Sequence, residues 1–504
     1  MLIKCAFLDM LVILSLLFAI LYLWMKWKHT YWQRRGVPTL PAHWFFGHFK
    51  DAILLRKSAG EVLSKLHQQT MNKDAVGIYI LHKPFLLLKN PELIKQIMIR
   101  DFNVFPNHHF RATTNSDTMS KWTLFTITNP EWKYLRMKMS PVFTIGKLKS
   151  LFLLIQESGE NMRNYLRDQI EEKIVPITVT DIFYKYTTNV VSSVAFGIRT
   201  NCFNTPPPEF YENSRKAVLL DYLRTIQIFF LFFLPNIGKY LRGAMLGNYT
   251  DYFRKVFWDS MDNRSITKTK RGDLIDSLLQ LKSEKPDNSN IQYDGDVLFA
   301  QAAIFFVAGR ETSIATMTCA LFELAKQPDM QKRLREEILK EIQDANGLTY
   351  ETIHNMKYLH QVINETLRLY PPAPILDRTP VSDYTSKLQF SGTKITIEKE
   401  TPVYVALRGI QTDPAYWQDP MRFDPERFSD KKKNEIVSCT FLPFGEGPRN
   451  CIGMRLGILQ TAVGLIAVLR DYEIALNPSW KIPIDQRSLF SMPPAGFLLN
   501  FKKI

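Results

Sequence analysis

Segment 443–453 constrains the fold of this chain more than any other stretch of its sequence. Gly445 and Gly447, with a proline between them and Cys451, enforce a tight and irregular loop. An apolar helical pattern begins at Met454, directly after the loop. A thiol at the start of a helix is favoured as thiolate by the positive end of the helix dipole, so the loop predicts a reactive or metal-binding cysteine.

The neighbours of Cys451 favour the metal-binding alternative. Arg449 supplies a nearby cation, and backbone N–H groups around Gly453 can donate to the sulfur, which are the conditions that restrain the basicity of a ligating thiolate. A lone cysteine is most often an inert buried residue, but this loop argues against that interpretation. The 5 cysteines are scattered without a CxxC pair, which disfavours a disulfide framework or an all-cysteine zinc site and indicates a reducing compartment.

Helical periodicity dominates the chain from Asn90 onward, so we expect a mainly α fold with a small β-sheet subdomain. The clearest helices are predicted over Leu148–Gln169, Ile275–Lys282, Gln331–Ala345 and Arg455–Leu469. Strand-like alternation is confined to Val76–Leu87, Lys394–Val405 and Phe497–Lys502. No glycine-rich dinucleotide motif joins a strand to a helix, so electrons from NAD(P)H would have to come through another protein.

Residues 1–28 are predicted to form a transmembrane anchor helix. Ala6–Met25 is a nearly uninterrupted apolar run whose length, roughly 30 Å as a helix, matches the hydrocarbon core of a bilayer. Trp24 and Trp27 stand where interfacial aromatic residues occur. Several basic residues follow the run and only Lys4 precedes it, which places the body in the cytosol. A cleaved signal peptide is the alternative, and the length of the run argues against it.

Two further segments bear on the membrane. Residues 29–41 are expected to form a basic, proline-stiffened connector to a body that spans 42–504. The apolar run 228–234 is too short to span a bilayer as a helix. It is either a buried core segment or a patch that dips into the membrane beside a substrate entrance.

The pattern Phe444-x-x-Gly447-x-Arg449-x-Cys451-x-Gly453 resembles that of the cytochrome P450 haem-thiolate monooxygenases. The resemblance implies the cytochrome P450 fold and makes the body a haem-binding catalytic domain. It implies haem b (iron protoporphyrin IX), with Cys451 as the axial ligand of the iron and Arg449 paired with a propionate.

A second part of the chain supports the resemblance. A long apolar helix is predicted over Val297–Leu324, interrupted where Gly309 weakens it. Thr312 can bond the carbonyl of Ala308 four residues back, which opens a local groove. In the family this helix crosses the distal face of the haem. The resemblance implies that the acid–alcohol pair Glu311 and Thr312 helps deliver protons there.

The resemblance also assigns the other side chains that hold the cofactor. Trp132 and Arg136 share one helix face and match the propionate-binding helix of the family, and Arg378 stands at the position of another propionate partner. The complete cofactor-binding set is Cys451, Arg449, Trp132, Arg136, Arg378, Phe444, Gly445, Gly453 and Ala308. Glu365, Arg368 and Arg427 are expected to form a buried structural lock without a catalytic role.

The segments that contact substrate in the family are rich in Phe and Met here, so we expect a roomy apolar pocket for a lipophilic small molecule. They are Phe102–Phe110, Phe203–Phe233, Ala300–Thr312, Pro374–Arg378 and Leu489–Met492. Three long phrases, Trp132–Lys149, Tyr350–Pro372 and Phe441–Gly453, look most like the insect microsomal detoxification branch.

The net charge of +15 suits a membrane surface and an acidic redox partner, and no nucleic-acid-binding module appears. The lysines expected to attract the partner are Lys133, Lys138, Lys147, Lys149 and Lys431–Lys433, although a merely solvated charged face explains them equally well. The resemblance implies NADPH–cytochrome P450 reductase, with cytochrome b5 as a second candidate, at the endoplasmic reticulum membrane.

The resulting hypothesis is an anchored monooxygenase that uses O2 and oxidises a xenobiotic such as a plant toxin or an insecticide. An endogenous hormone, steroid or terpenoid is the alternative substrate. More remote alternatives are a haem-thiolate isomerase or dehydratase, which needs no external electrons, and a non-catalytic haem sensor. The presence of both Glu311 and Thr312 favours oxygen activation over the isomerase.

Overall fold

The structure is a computed structural model. It describes residues 2–111, 118–170, 173–218, 222–238, 245–284, 291–387, 389, 394–480, 485, 488 and 490–504. For residues 2–6, 218, 222, 237 and 238 it describes the backbone alone.

Helices make up most of the described chain, as the periodicity predicts. In chain order they are α1 (Leu2–Lys28), α2 (Lys50–Ile53), α3 (Ala59–Gln69), α4 (Pro91–Lys95), α5 (Thr118–Lys121), α6 (Glu131–Met139), α7 (Ile145–Gln169), α8 (Val179–Ala195), α9 (Glu209–Val218), α10 (Tyr222–Phe233), α11 (Pro235–Gly238), α12 (Thr250–Thr267), α13 (Leu274–Ser283), α14 (Gly295–Lys326), α15 (Pro328–Asp344), α16 (Tyr350–Asn355), α17 (Lys357–Leu369), α18 (Leu407–Gln411) and α19 (Met454–Leu469). The four helices predicted most clearly correspond to α7, α13, α15 and α19.

The strands form small sheets, as expected. They are β1 (Ala75–Ile80), β2 (Lys83–Leu88), β3 (Val175–Thr178), β4 (Ile375–Arg378), β5 (Tyr384–Thr385), β6 (Thr396–Ile397), β7 (Val403–Ala406), β8 (Tyr472–Leu476) and β9 (Leu498–Lys503). A four-stranded sheet has the order β1-β2-β7-β4, in which only β2 and β7 run parallel. The strands β3-β9-β8 form a second sheet and β5-β6 a third. The predicted strand 394–405 is therefore two short strands, because 398–402 leaves the ladder between them.

Helix α14 lies at the centre of the packing and contributes to two hydrophobic clusters, with Phe306 in one and Ile314 in the other. It packs against α8 and α19. On α19, a Cβ added at Gly464 would come within 2.2 Å of the Met317 sulfur and 2.9 Å of the Tyr186 ring. Glycine at this position therefore lets the three helices meet. The expected interruption at Gly309 is absent from α14, which is helical throughout.

Helix α1 is a candidate transmembrane span. The apolar helical region Phe7–Arg35 is long enough to cross a bilayer, and its most apolar window is not buried by the rest of the protein. Gly295–Lys326 is also long and apolar enough to cross a bilayer, but 61% of its most apolar stretch is buried inside the protein, as expected of a core helix. The span at the amino terminus therefore agrees with the predicted anchor helix.

The apolar run 228–234 lies at the end of α10 and supports the buried-core interpretation. All seven residues are buried or half-buried. Phe229 and Phe233 pack against Phe49, with ring centroids 6.3 and 5.1 Å apart. Ile228, Leu231, Phe232 and Phe233 also line the internal cavity described next.

Candidate active site

A cavity of about 600 Å³ lies between α14, α10, α6, β4 and the loop before α19. Its lining is mostly apolar, which suits a lipophilic ligand. All the side chains predicted to bind the cofactor or to act in catalysis line this cavity, although they come from distant parts of the chain. They are Trp132, Arg136, Ala308, Glu311, Thr312, Arg378, Phe444, Gly445, Arg449, Cys451 and Gly453.

The loop before α19 turns Cys451 into the cavity. Gly445 and Gly447 adopt positive φ values of 71° and 76°. A Cβ at Gly447 would lie 2.1 Å from the carbonyl oxygen of Met98, so only glycine allows this close approach. The backbone N–H of Cys451 closes the loop by donating to the carbonyl of Phe444 at 2.8 Å.

Cys451 differs from the other cysteines whose side chains are described. Cys202, Cys319 and Cys439 are buried, whereas the surface of Cys451 opens into the cavity. Protein nevertheless surrounds the thiol, and burial raises its pKa above the ordinary value, although the Gly453 N–H and Arg136 act to lower it. The pKa of the Cys451 thiol is therefore shifted in the direction opposite to the one that the loop predicts. The donor at Gly453 was anticipated correctly.

The cation that favours the thiolate is Arg136 and not Arg449. Arg136 donates to both the backbone and the side-chain oxygen of Asn450, each at 2.9 Å, which fixes the guanidinium beside the sulfur-bearing loop. Arg449 instead donates to the carbonyl of Ile127 at 2.7 Å and lies over the ring of Trp132, 4.5 Å from its centroid. The expectation that Arg449 is the nearby cation is therefore wrong.

Arg378 and Arg449 are buried cations with unused donors. Burial, reinforced at Arg449 by the neighbouring Arg378, lowers the pKa of Arg449 to about 9, and burial lowers the pKa of Arg378 to about 10. The Nε of each has no hydrogen-bond partner among the described residues, and buried donors are rarely left unpaired. Two carboxylates of a bound group would satisfy them. With the Cys451 sulfur opening into the same cavity, the site fits an iron porphyrin that carries propionates.

A hydrogen-bonded histidine–aspartate pair at the cavity wall was not anticipated as a unit. His108 Nδ1 and Asp377 Oδ1 lie 2.8 Å apart, and the His109 N–H donates to the other oxygen at 2.5 Å. Burial lowers the pKa of His108 to about 4. Burial acts to raise the pKa of Asp377, but His108 and Arg378 outweigh it and hold that pKa well below its usual range. Both residues fall in predicted substrate segments, but nothing in the sequence pairs residues 269 positions apart.

Where α14 lines the cavity, side chains bond two of its successive carbonyls. The hydroxyl of Thr312 donates to the carbonyl of Ala308 at 2.7 Å, as predicted. The next carbonyl, of Gly309, accepts from the amide of Gln460 at 3.1 Å and from the hydroxyl of Ser313 at 3.1 Å. The local groove is therefore a set of side-chain bonds to an unbroken helix, and Gln460 is a member that the sequence did not reveal.

An aromatic wall made of Phe110, Phe125, Phe232 and Phe490 covers part of the cavity. Phe110 and Phe232 stack with centroids 4.3 Å apart, and Phe490 meets Phe232 edge to face at 5.3 Å. Phe125 lies 5.6 Å from Phe110. Every predicted substrate segment contributes a lining residue, but Phe125 belongs to none of them. Leu489, at the start of the last segment, lies outside the described residues.

The predicted structural lock is centred on Arg368, which is fully buried with Glu365. Arg368 makes two bonds of 2.7 Å to the Glu365 carboxylate and donates to backbone carbonyls at Gln411 and Pro420. Arg427 contributes less, because its Nε is 3.5 Å from Glu365 and has no hydrogen-bond partner among the described residues. The lock is a close pair with a looser third member.

Comparison with known proteins identifies the family of the chain. The cytochrome P450 family model matches residues 37–501. The chain is 38% identical to cytochrome P450 6k1 of Blattella germanica, over 99% of this chain and 98% of that protein. It is 34% identical to a probable cytochrome P450 6g2 of Drosophila melanogaster, over 98% of each chain, and 33% identical to cytochrome P450 6j1 of Blattella germanica, over 96% and 95%.

The chain therefore belongs to the cytochrome P450 family. It is a monooxygenase with a haem-iron cofactor, and the relatives named above are insect enzymes. The resemblance drawn from the Cys451 loop is confirmed, and so is the mainly α fold with small sheets.

Proposed function

We propose that this protein is a membrane-anchored monooxygenase that oxidises lipophilic xenobiotics with electrons from NADPH–cytochrome P450 reductase. The observation that carries the proposal is the apolar cavity of about 600 Å³ into which both Cys451 and the aromatic wall open. Aromatic rings supply a large apolar contact area and stack on planar substrates. A flat, lipophilic molecule is the substrate class that this wall suits best.

In this proposal the cofactor is haem b, which supplies oxygen activation when bound. Cys451 would supply the thiolate ligand of the iron, and Arg136, Arg378 and Arg449, with Trp132, would hold the propionates. The small or flat residues that line the site, Ala308, Phe444, Gly445 and Gly453, leave room for the macrocycle. The proposed domains are the anchor at 1–28, the connector at 29–41 and the haem-binding catalytic domain at 42–504. The proposed location is the endoplasmic reticulum membrane, with the catalytic domain in the cytosol.

Thr312 and Glu311 are the proposed catalytic residues. Insertion of one oxygen atom of O2 into a C–H bond consumes two electrons and two protons and releases the second atom as water. Thr312 holds its proton in a bond to the Ala308 carbonyl, at the surface of the cavity. A hydroxyl placed there can accept a proton from one side and donate one on the other.

Replacing Thr312 by alanine should therefore reduce the product formed per NADPH consumed, roughly 10- to 100-fold, because proton transfer loses its positioned group. Product and hydrogen peroxide are measured together in the presence of the reductase. Thr187→Ala is the matched control, since Thr187 makes the same bond to the carbonyl four residues back, at 2.7 Å, on α8 outside the cavity. Equal losses in both variants would contradict the role of Thr312.

The reductase is proposed to dock beside α6, and Lys133 is the sharpest test of that surface. Lys138 pairs with Glu284, and Lys149 pairs with Glu351. The exposed Lys133 has no acidic partner among the described residues. We expect Lys133→Glu to lower reductase-supported turnover about fivefold at low salt and less at high salt. Turnover supported by hydrogen peroxide needs no reductase and should be unchanged. An equal fall in both assays would show that the docking interpretation is wrong.

The substrate class is tested by a panel of planar plant toxins, insecticides, steroids and terpenoids in the reconstituted system with O2 and NADPH. Oxygenated products from the toxins or insecticides support the proposal, whereas products from steroids or terpenoids alone support the endogenous alternative. Turnover that persists without reductase would indicate an isomerase or dehydratase. Cytochrome b5 is added in a separate series, where a gain in coupling supports it as a second partner.

A further inference from the structure

Glu311 contacts two side chains that do not line the cavity, those of Tyr184 and Arg310. The hydroxyl of Tyr184, on α8, donates to one carboxylate oxygen of Glu311 at 2.9 Å. The other oxygen accepts from Arg310, whose Nε and Nη2 lie 3.0 and 2.9 Å away. Glu311 also lines the cavity, and its side chain is 19% exposed. The same carboxylate therefore reaches both the cavity and a tyrosine outside it.

Arg310 fixes the position of this carboxylate. Its side chain is fully buried, and its guanidinium lies 4.6 Å from the ring centroid of Phe306 and donates to the carbonyl of Ser214 at 3.2 Å. A buried guanidinium requires a nearby anion, and Glu311 supplies it. Rotation of Glu311 toward the cavity would leave a charge of Arg310 uncompensated, so the resting carboxylate faces Tyr184.

Tyr184 connects this pair to the exterior of the cavity. Tyr184 is half-buried, and it is not among the residues that line the cavity. Burial, followed by the negative charge of Glu311, raises the pKa of Tyr184 well above its ordinary value. The phenol is therefore protonated at any physiological pH. It can pass a proton to Glu311 only while it receives another from its other side.

We propose that Tyr184 is the outer member of a proton path whose inner members are Glu311 and Thr312, and that Arg310 is a positioning residue for this path. The inference rests on the proposed monooxygenase function. Each turnover takes two protons and two electrons with one O2 and one substrate molecule, and yields one hydroxylated product and one water. A proton leaves the Tyr184 hydroxyl for the Glu311 carboxylate, and the phenol oxygen is reprotonated from the solvent side.

The same helix carries a matched control. The hydroxyl of Tyr370 donates to the buried carboxylate of Glu323 at 2.5 Å, and Lys326 pairs with that carboxylate at 2.9 Å. Glu323 thus has a tyrosine donor and a cation, as Glu311 has, but neither Glu323 nor Tyr370 lines the cavity. Tyr370→Phe removes an equivalent bond from α14 without touching the proposed path.

The experiment compares Tyr184→Phe and Tyr370→Phe with the wild-type full chain in its haem-loaded form. For Tyr184→Phe we expect product per NADPH to fall about tenfold with a larger solvent isotope effect, because one relay group is missing. Peroxide-supported turnover, in which the oxidant brings its own protons, should stay within about twofold of wild type. Tyr370→Phe should match wild type in all three measurements.

A readout independent of turnover is the infrared carboxylate band of Glu311, assigned by its loss in Glu311→Gln. It should shift in Tyr184→Phe and remain in place in Tyr370→Phe. An unshifted band, unchanged product per NADPH in Tyr184→Phe, or equal losses in both variants would overturn the proton path. If the wild-type enzyme forms no oxygenated product from any substrate of the panel, the proposed function fails, and this inference fails with it.

Discussion

Cys451→Ser is expected to abolish the absorption band of the reduced, CO-bound enzyme that thiolate ligation produces, and to lower monooxygenase turnover to background. A serine hydroxyl has a far higher pKa than a thiol, and burial already raises the pKa of the Cys451 thiol. The side chain of serine would therefore remain protonated and would be a poor ligand for iron. The measurement is the difference spectrum, together with the haem bound per chain.

Cys202→Ser is the control for this prediction. Cys202 is buried, and its thiol lies 3.8 Å from the hydroxyl of Thr200, a contact that serine can keep. We expect this variant to keep the thiolate-type spectrum and its turnover. A thiolate-type spectrum that survives in Cys451→Ser, or a wild-type preparation that binds no haem, would contradict the assignment of Cys451 as the ligand.

Arg368→Ala is expected to destabilise the folded protein by about 3–5 kcal/mol, because it removes both close bonds of an arginine to the buried Glu365 carboxylate. It also leaves the carbonyls of Gln411 and Pro420 without their shared donor. The free energy of unfolding is measured with urea, and the haem retained per chain is recorded at each urea concentration. Arg368→Lys should lie between Ala and wild type, because an ammonium group cannot make both bonds to Glu365.

Arg427→Ala tests whether the third member of the lock stabilises the fold as strongly as Arg368 does. Arg427 lies 3.5 Å from Glu365 and is partly exposed, so its removal should cost about 1 kcal/mol or less. Destabilisation as large as that of Arg368→Ala would show that all three residues act as one unit, as the sequence had suggested. A small effect from both substitutions would show that neither arginine holds this region together.

Much of the candidate site could be predicted because its evidence is local. The glycines around Cys451, the spacing of Trp132 and Arg136, and the pairing of Glu365 with Arg368 all lie within a few residues of each other. Local backbone geometry decides such contacts, and it changes little with the rest of the fold. The same holds for the bond between Thr312 and Ala308.

The errors in the predicted site arise where several partners compete for one side chain. Arg449 lies two residues from Cys451 in sequence, but its guanidinium donates to the carbonyl of Ile127 and packs on the ring of Trp132. Arg427 is near Glu365 but bonds the carbonyl of Asp419 at 2.9 Å. These competitors are remote in sequence, so no spacing rule could have ranked them.

The sequence by itself determined the class of protein, the apolar helix at the amino terminus and the mainly α fold, and it singled out Cys451 as the candidate ligand, because each depends on residue type and short-range periodicity. The tertiary structure alone decided that Arg136 is bound to the loop that carries Cys451, that His108 meets Asp377, and that Tyr184 reaches Glu311. Those contacts join segments far apart along the chain. Their partners are set by how helices and strands pack, which no local pattern records.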